Sequence, residues 1–160
     1  MTHSETFSKF EGALVQWRDQ FIEQGSPISA DGMAEKTKEF YYIAYHLYRD
    51  QQYEEAENFF RMLLMAKPTD PRYWKGLGAC LQMRQNYEEA LNCYICTQNL
   101  HWDQPDPYLY IYAADCYFAL NQIKEGLKAL EAARLSAEEK EDARILKHVA
   151  VMREMWAQSS

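Results

Sequence analysis

Two thiols one helical turn apart, in Cys93-x-x-Cys96, are the arrangement in this chain best suited to chemistry, because such a pair can supply half of a metal site or exchange a disulfide. A structural zinc needs four ligands, and the sequence offers neither a second Cys-x-x-Cys nor a His-x-x-x-His to complete the set. Cys80 and Cys116 recur at equivalent helical positions and read as small core residues. His3, His46, His101 and His148 are scattered, no motif places a Ser or Cys as nucleophile, and there is no Gly-rich phosphate loop. The paired carboxylates Glu54/Glu55, Glu88/Glu89 and Glu138/Glu139 fall at expected helix beginnings, where each favours the helix dipole by roughly 0.3–1 kcal/mol. No catalytic residue, metal ligand or cofactor follows from these residues, and the chain reads as a non-enzyme. The remaining excess is aromatic: 12 Tyr, 7 Phe and 4 Trp, with tyrosines crowded into 41–53 and 108–117, where they serve either a core or a binding surface.

A length of 160 residues suits one compact unit, and 48% hydrophobic residues with only 6 Gly and 5 Pro exclude a disordered chain. The balance of 17 basic against 24 acidic residues gives a net charge of −7 and a pI near 5.1, the wrong sign for nucleic acid or an anionic membrane surface. No apolar run approaches a membrane span, and Met1-Thr2-His3-Ser4-Glu5 does not begin a secretion signal, so a cytoplasmic protein with reduced cysteines is expected.

The prolines stand at Pro27, Pro68/Pro71 and Pro105/Pro107, and the stretches between them lack strand-like alternation, which predicts an all-α chain. Asp70-Pro71 and Asp106-Pro107 each put an N-cap acceptor before a proline at the first helical position. Tyr53-Glu54-Glu55-Ala56 returns as Tyr87-Glu88-Glu89-Ala90, 34 residues later, the period of a helix-turn-helix solenoid. With repeats counted from Thr37, Pro71 and Pro107, position 4 is Phe40, Trp74 and Tyr110, position 8 is Ala44, Gly78 and Ala114, and position 20 is Ala56, Ala90 and Gly126. These resemble the large and small packing positions of tetratricopeptide repeats. The expected architecture is three helix pairs over 33–135 forming a short solenoid with a concave groove. The usual turn glycine is replaced by Gln51, Gln85 and Asn121, which calls the turn geometry into question.

Further helices are expected at both ends. Phe7, Phe10, Leu14, Trp17 and Phe21 form an apolar stripe within 1–32, suited to a partner surface or to the first repeat, and Gln24–Ser29 reads as a linker. Ser136-Ala137-Glu138-Glu139 reads as a capping box opening a last helix over 136–160, with Ile145, Val149, Met152 and Trp156 on its buried face.

The strings Tyr53-Glu54-Glu55-Ala56-Glu57-x-x-Phe60, Asp70-Pro71-Arg72-Tyr73-Trp74-Lys75-Gly76-Leu77-Gly78-Ala79-Cys80 and Ala113-Ala114-Asp115-Cys116 resemble the class II chaperones of bacterial type III secretion. The resemblance implies a small acidic cytosolic protein that keeps hydrophobic translocator subunits soluble, with an N-terminal region contributing to a homodimer. It implies a short extended client segment of the type Pro-x-Leu-x-x-Pro in the concave groove. In such a solenoid positions 2, 5, 9 and 12 of each first helix line the groove: Lys38, Tyr41, Tyr45 and Tyr48; Arg72, Lys75, Ala79 and Gln82; Tyr108, Ile111, Asp115 and Phe118. Phe40, Ile43, Ala44 and Leu47 account for the packing face of the first of these helices, which leaves its tyrosines for a ligand. Tyr53 and Tyr94 match family positions near the groove, but spacing puts them on a turn and on a second helix. The competing reading is a scaffold or adaptor for another peptide, such as a heat-shock protein tail; that adaptor needs Lys and Asn at positions 5 and 9, where Tyr41 and Tyr45 stand.

Overall fold

The computed structural model describes residues 30–101, 103, 104 and 106–158, with side chains from residue 36 onward. The stripe Phe7, Phe10, Leu14, Trp17 and Phe21 and the linker after it lie outside the described residues. Those described form α-helices and no strands: α1 (Ala30–Arg49), α2 (Tyr53–Ala66), α3 (Pro71–Met83), α4 (Tyr87–Leu100), α5 (Pro107–Ala119), α6 (Ile123–Glu139) and α7 (Ala143–Ala157). The first helix begins at Ala30, ahead of the repeat start at Thr37. Instead of one compact unit, the chain divides into Met1–Leu100 and His101–Ser160. Helical repeats contact only their neighbours, so the chain divides at a connection between pairs.

In the first unit α1 pairs with α2 and α3 with α4, and α2 packs on α3. Its core takes Ala44, Ala56, Phe60, Leu63, Leu77, Leu81, Ala90 and Leu91, the positions with helical spacing on facing sides. The small residues serve close approach: a Cβ on Gly78 would stand 2.7 Å from the Tyr94 ring and 3.1 Å from the Cys93 Cβ. Glu57 of α2 is buried beside two guanidiniums, Arg61 at 2.7 Å and Arg84, the residue that caps the end of α3, and Arg61 reaches on to Glu89 of α4 at 3.9 Å. In the second unit α5, α6 and α7 close around Ile111, Ala114, Phe118, Leu130, Ala133, Ile145, Val149 and Met152.

Asp70 and Asp106 cap α3 and α5 as expected, each accepting from the amide two residues on at 3.0 Å. The last helix is a correction. Ser136 is buried inside α6, which runs to Glu139, and α7 is capped by Asp142, whose carboxylate accepts from the Ile145 amide at 3.2 Å. Glu138 and Glu139 therefore stand at a helix end, the unfavourable side of the dipole, and Arg134 offsets this for Glu138 at 2.5 Å. The apolar spacing of α6 runs unbroken through Ala133 and Ala137, so the serine had no break at which to cap.

The turns keep their geometry without glycine. Gln51, Gln85 and Asn121 have φ of 63°, 65° and 59°, and Glu141 joins them at 52°. Each is followed by an amide that reaches back five residues, Gln52 to Leu47 O, Asn86 to Leu81 O, Gln122 to Tyr117 O and Asp142 to Ala137 O, at 2.8–2.9 Å, the Schellman closure that demands a left-handed residue. An L side chain pays for that conformation. Gln85→Gly is expected to raise stability by about 1 kcal/mol, read as a higher thermal midpoint with an unchanged helical spectrum.

Candidate functional site

In the first unit α1 and α3 are the first helices of adjacent pairs and lie in contact. Tyr41 on α1 sets its ring 5.9 Å from that of Tyr73 and 6.2 Å from that of Phe60. The Arg72 guanidinium lies over both tyrosines, 5.1 Å from the Tyr41 centroid and 5.6 Å from that of Tyr73. Asp70 holds the other side of that guanidinium: Arg72 Nε donates to Oδ1 at 3.1 Å and Nη2 to Oδ2 at 2.8 Å. The same carboxylate caps the helix, so one buried acid fixes both the start of α3 and the direction of its arginine. Hydrogen bonding to Arg72 lowers the Asp70 pKa, outweighing its burial, and Arg72 is held charged in return. Nε and Nη2 both donate to Asp70, which leaves the Nη1 end of the fork outside this ion pair.

Lys75, Ala79 and Gln82 continue along α3, all partly exposed. Lys38 and Tyr45 are exposed on α1, Tyr45 edge-on to His46 at 6.2 Å. Tyr48 is half-buried with its ring 5.4 Å from Tyr53, which is the first residue of α2 rather than part of a turn. Tyr94 is buried beneath Gly78, and its hydroxyl donates to Gln82 Oε1 at 2.6 Å, so it orients Gln82 from below.

In the second unit the expected lining divides. Tyr108 is exposed at the start of α5 and Asp115 is half-buried, where burial raises its carboxyl pKa against the opposing pull of His148 on α7. Ile111 and Phe118 are corrections: at 4% and 5% exposure they belong to the core, and the Phe118 ring stacks on Trp156 of α7 at 4.4 Å. Apolar residues on that face of α5 are claimed by the helix that follows. Ile43 is the opposite case, assigned to packing yet 39% exposed beside Tyr42 at 64%.

Sequence reasoning missed Tyr73 and Asp70, both buried, as the residues that position Arg72. Both flank Arg72, and the signal for Asp70 was present in its N-cap position, since a cap carboxylate two residues before an arginine can bind both amide and guanidinium. Burial raises the Cys80 and Cys116 thiols to about 12 and the Cys93 thiol well above its ordinary value, which disfavours a thiolate at these three. Among the described residues no cluster of His, Cys, Asp or Glu could hold a metal ion, and no helix is long and apolar enough to cross a membrane.

The family model described as anaphase-promoting complex, cyclosome, subunit 3 matches residues 51–133. The low calcium response locus protein H of Yersinia pestis is 26% identical over 114 residues, 70% of this chain and 67% of its own length. A chain of the CopN–Scc3 complex is 35% identical, spans 71% of this chain and 68% of its own, and has a TM-score of 0.63. The type III secretion translocator chaperone SycD of Yersinia enterocolitica is 25% identical over 84% of this chain and 98% of its own, with TM-scores of 0.71 in complex with a peptide of the translocator YopD and 0.72 in an alternative dimer. Helix pairs in tetratricopeptide register, capped and packed as these are, and these likenesses together place the chain in the repeat family of that model and, within it, among the class II translocator chaperones of type III secretion.

Proposed function

We propose that the α1–α3 face of the first unit binds a short extended segment of a hydrophobic translocator, and that the protein thereby keeps its client soluble in the bacterial cytoplasm. The observation that carries this is the Tyr41–Arg72 pair, an aromatic face and a pinned, charged donor side by side. A Pro-x-Leu-x-x-Pro segment is pre-ordered, loses little entropy on binding, and offers rings and a leucine to tyrosine faces and carbonyls to guanidinium and amide donors. The binding of a YopD peptide by SycD supports the same use here. Masking apolar client surface acts by mass action and needs neither nucleotide nor catalytic group. The Phe7–Phe21 stripe is proposed to contact a second copy, in keeping with a SycD dimer.

Titration of a synthetic Pro-x-Leu-x-x-Pro peptide into the full chain tests the reading. Tyr41→Ala is expected to weaken binding roughly tenfold with helicity unchanged, the effect of losing one aromatic anchor. Equal affinity of wild type and variant removes Tyr41 from the site.

A further inference from the structure

The second helix pair differs from the other two at one buried place. The eighth residue of each second helix fills the core of its pair, and it is Phe60 in α2, Tyr94 in α4 and Leu130 in α6, none more than 3% exposed. Side chains without a polar atom serve there in the first and third pairs, so packing does not call for the Tyr94 hydroxyl. A buried hydroxyl costs free energy unless it is bonded, and this one donates to Gln82 Oε1 at 2.6 Å. Gln82 holds position 12 of α3, where the other pairs carry the aromatic residues Tyr48 and Phe118. Gly78, one turn before Gln82, opens the way, since a Cβ there would stand 2.7 Å from the Tyr94 ring. The half-buried carboxamide is thus fixed from beneath by its oxygen, and its two Nε2–H donors lie outside this bond.

We propose that Tyr94 is a positioning residue: it turns Gln82 so that Nε2 donates to a main-chain carbonyl of the client segment, an inference that rests on the α1–α3 face being the binding site. An extended Pro-x-Leu-x-x-Pro segment makes no internal hydrogen bonds and lacks an N–H at each proline, so it brings more acceptors than donors and is best met by fixed donors. A free carboxamide can offer either end. The Tyr94 hydroxyl engages the oxygen and so selects the amine for the ligand. Gln82 stands ten residues from Arg72, about 15 Å along the helix. The five steps between the two prolines of the segment, at about 3.1 Å each, cover the same length. A segment laid along α3 with one proline at Tyr41 and Arg72 therefore brings the other to Gln82.

Titration of the synthetic Pro-x-Leu-x-x-Pro peptide into full-length variants tests this role. Tyr94→Phe keeps the ring and removes only the hydroxyl, and it is expected to weaken binding about threefold with an unchanged helical spectrum; Gln82→Ala, at a partly exposed site, is expected to weaken it about fivefold. Gln82→Glu still accepts from Tyr94 but offers the ligand no donor, and is expected to bind no better than Gln82→Ala. Added to Gln82→Ala, Tyr94→Phe is expected to cost nothing more, which a packing role for Tyr94 would not give. Additive losses from the two substitutions, or wild-type affinity in Tyr94→Phe or Gln82→Glu, overturn the inference. Tyr41→Ala separates it from the binding face itself: a peptide weakened by Tyr41→Ala but indifferent to Tyr94→Phe and Gln82→Glu leaves the face standing and removes Gln82 as its donor. Failure of the wild type to bind the peptide overturns both.

Discussion

Gly76→Ala is expected to destabilise the protein by about 2 kcal/mol, although alanine is the better helix former by about 1 kcal/mol. Gly76 lies within α3, and a Cβ there would stand 2.2, 2.4 and 2.7 Å from three atoms of the Phe60 ring. That ring is buried and cannot swing into solvent. Overpacking at such a contact costs about 1–3 kcal/mol, or more where neighbours are fixed, and exceeds the propensity gain. The displacement also reaches the binding surface, because Phe60 meets Tyr41 edge-on at 6.2 Å. The variant is therefore expected to lower both the thermal midpoint and the affinity for the peptide. Adding Phe60→Leu to Gly76→Ala makes room for the methyl group, and the double variant is expected to be more stable than the sum of the two single losses. Strict additivity would show that the ring is not what Gly76 accommodates.

The string Arg72-Tyr73-Trp74-x-Gly76-Leu77-Gly78-Ala79-Cys80 carried most of what was legible, and the structure gives six of its residues a reason. Arg72 lies over Tyr41, Trp74 donates its indole N–H to Pro68 O at 2.7 Å, Gly76 and Gly78 admit the rings of Phe60 and Tyr94, and Leu77 and Cys80 fill the core. Helix starts at Asp70 and Asp106 were readable because cap and proline are local chemistry. The start of α7 was misread because Ser136 and Glu139 match a local cap pattern while Ala133 and Ala137 continue a helix that tertiary packing prefers. The same limit explains the groove residues. Position numbers put Ile111 and Phe118 on the lining, but α7 buries that part of α5, and which helix covers a face is not written in the face itself. Tyr41 was legible as a left-over aromatic; its coupling to Asp70 through Arg72 needed the distance between α1 and α3.

That coupling gives Asp70 two roles that substitution separates. Asp70→Ala removes the cap of α3, worth about 1 kcal/mol, and the partly exposed ion pair with Arg72, worth about 1 kcal/mol more, for an expected loss of about 2 kcal/mol. Asp70→Asn keeps a side-chain oxygen for the Arg72 amide and loses the ion pair, so its stability is expected to fall between the two. Both variants release Arg72 from the carboxylate that directs it over Tyr41, and both are expected to bind the Pro-x-Leu-x-x-Pro peptide more weakly by a similar factor. The pH dependence follows from the sign of the shift. Asp70 has a folded pKa below its unfolded value of about 3.9, so its contribution is complete above that value and is lost as pH falls through the folded pKa. The stability difference between wild type and Asp70→Asn is thus expected to be constant near neutrality and to shrink as the pH drops below about 4. A difference that persists undiminished at low pH would show that it does not arise from the Asp70 charge and leave Arg72 without its electrostatic anchor.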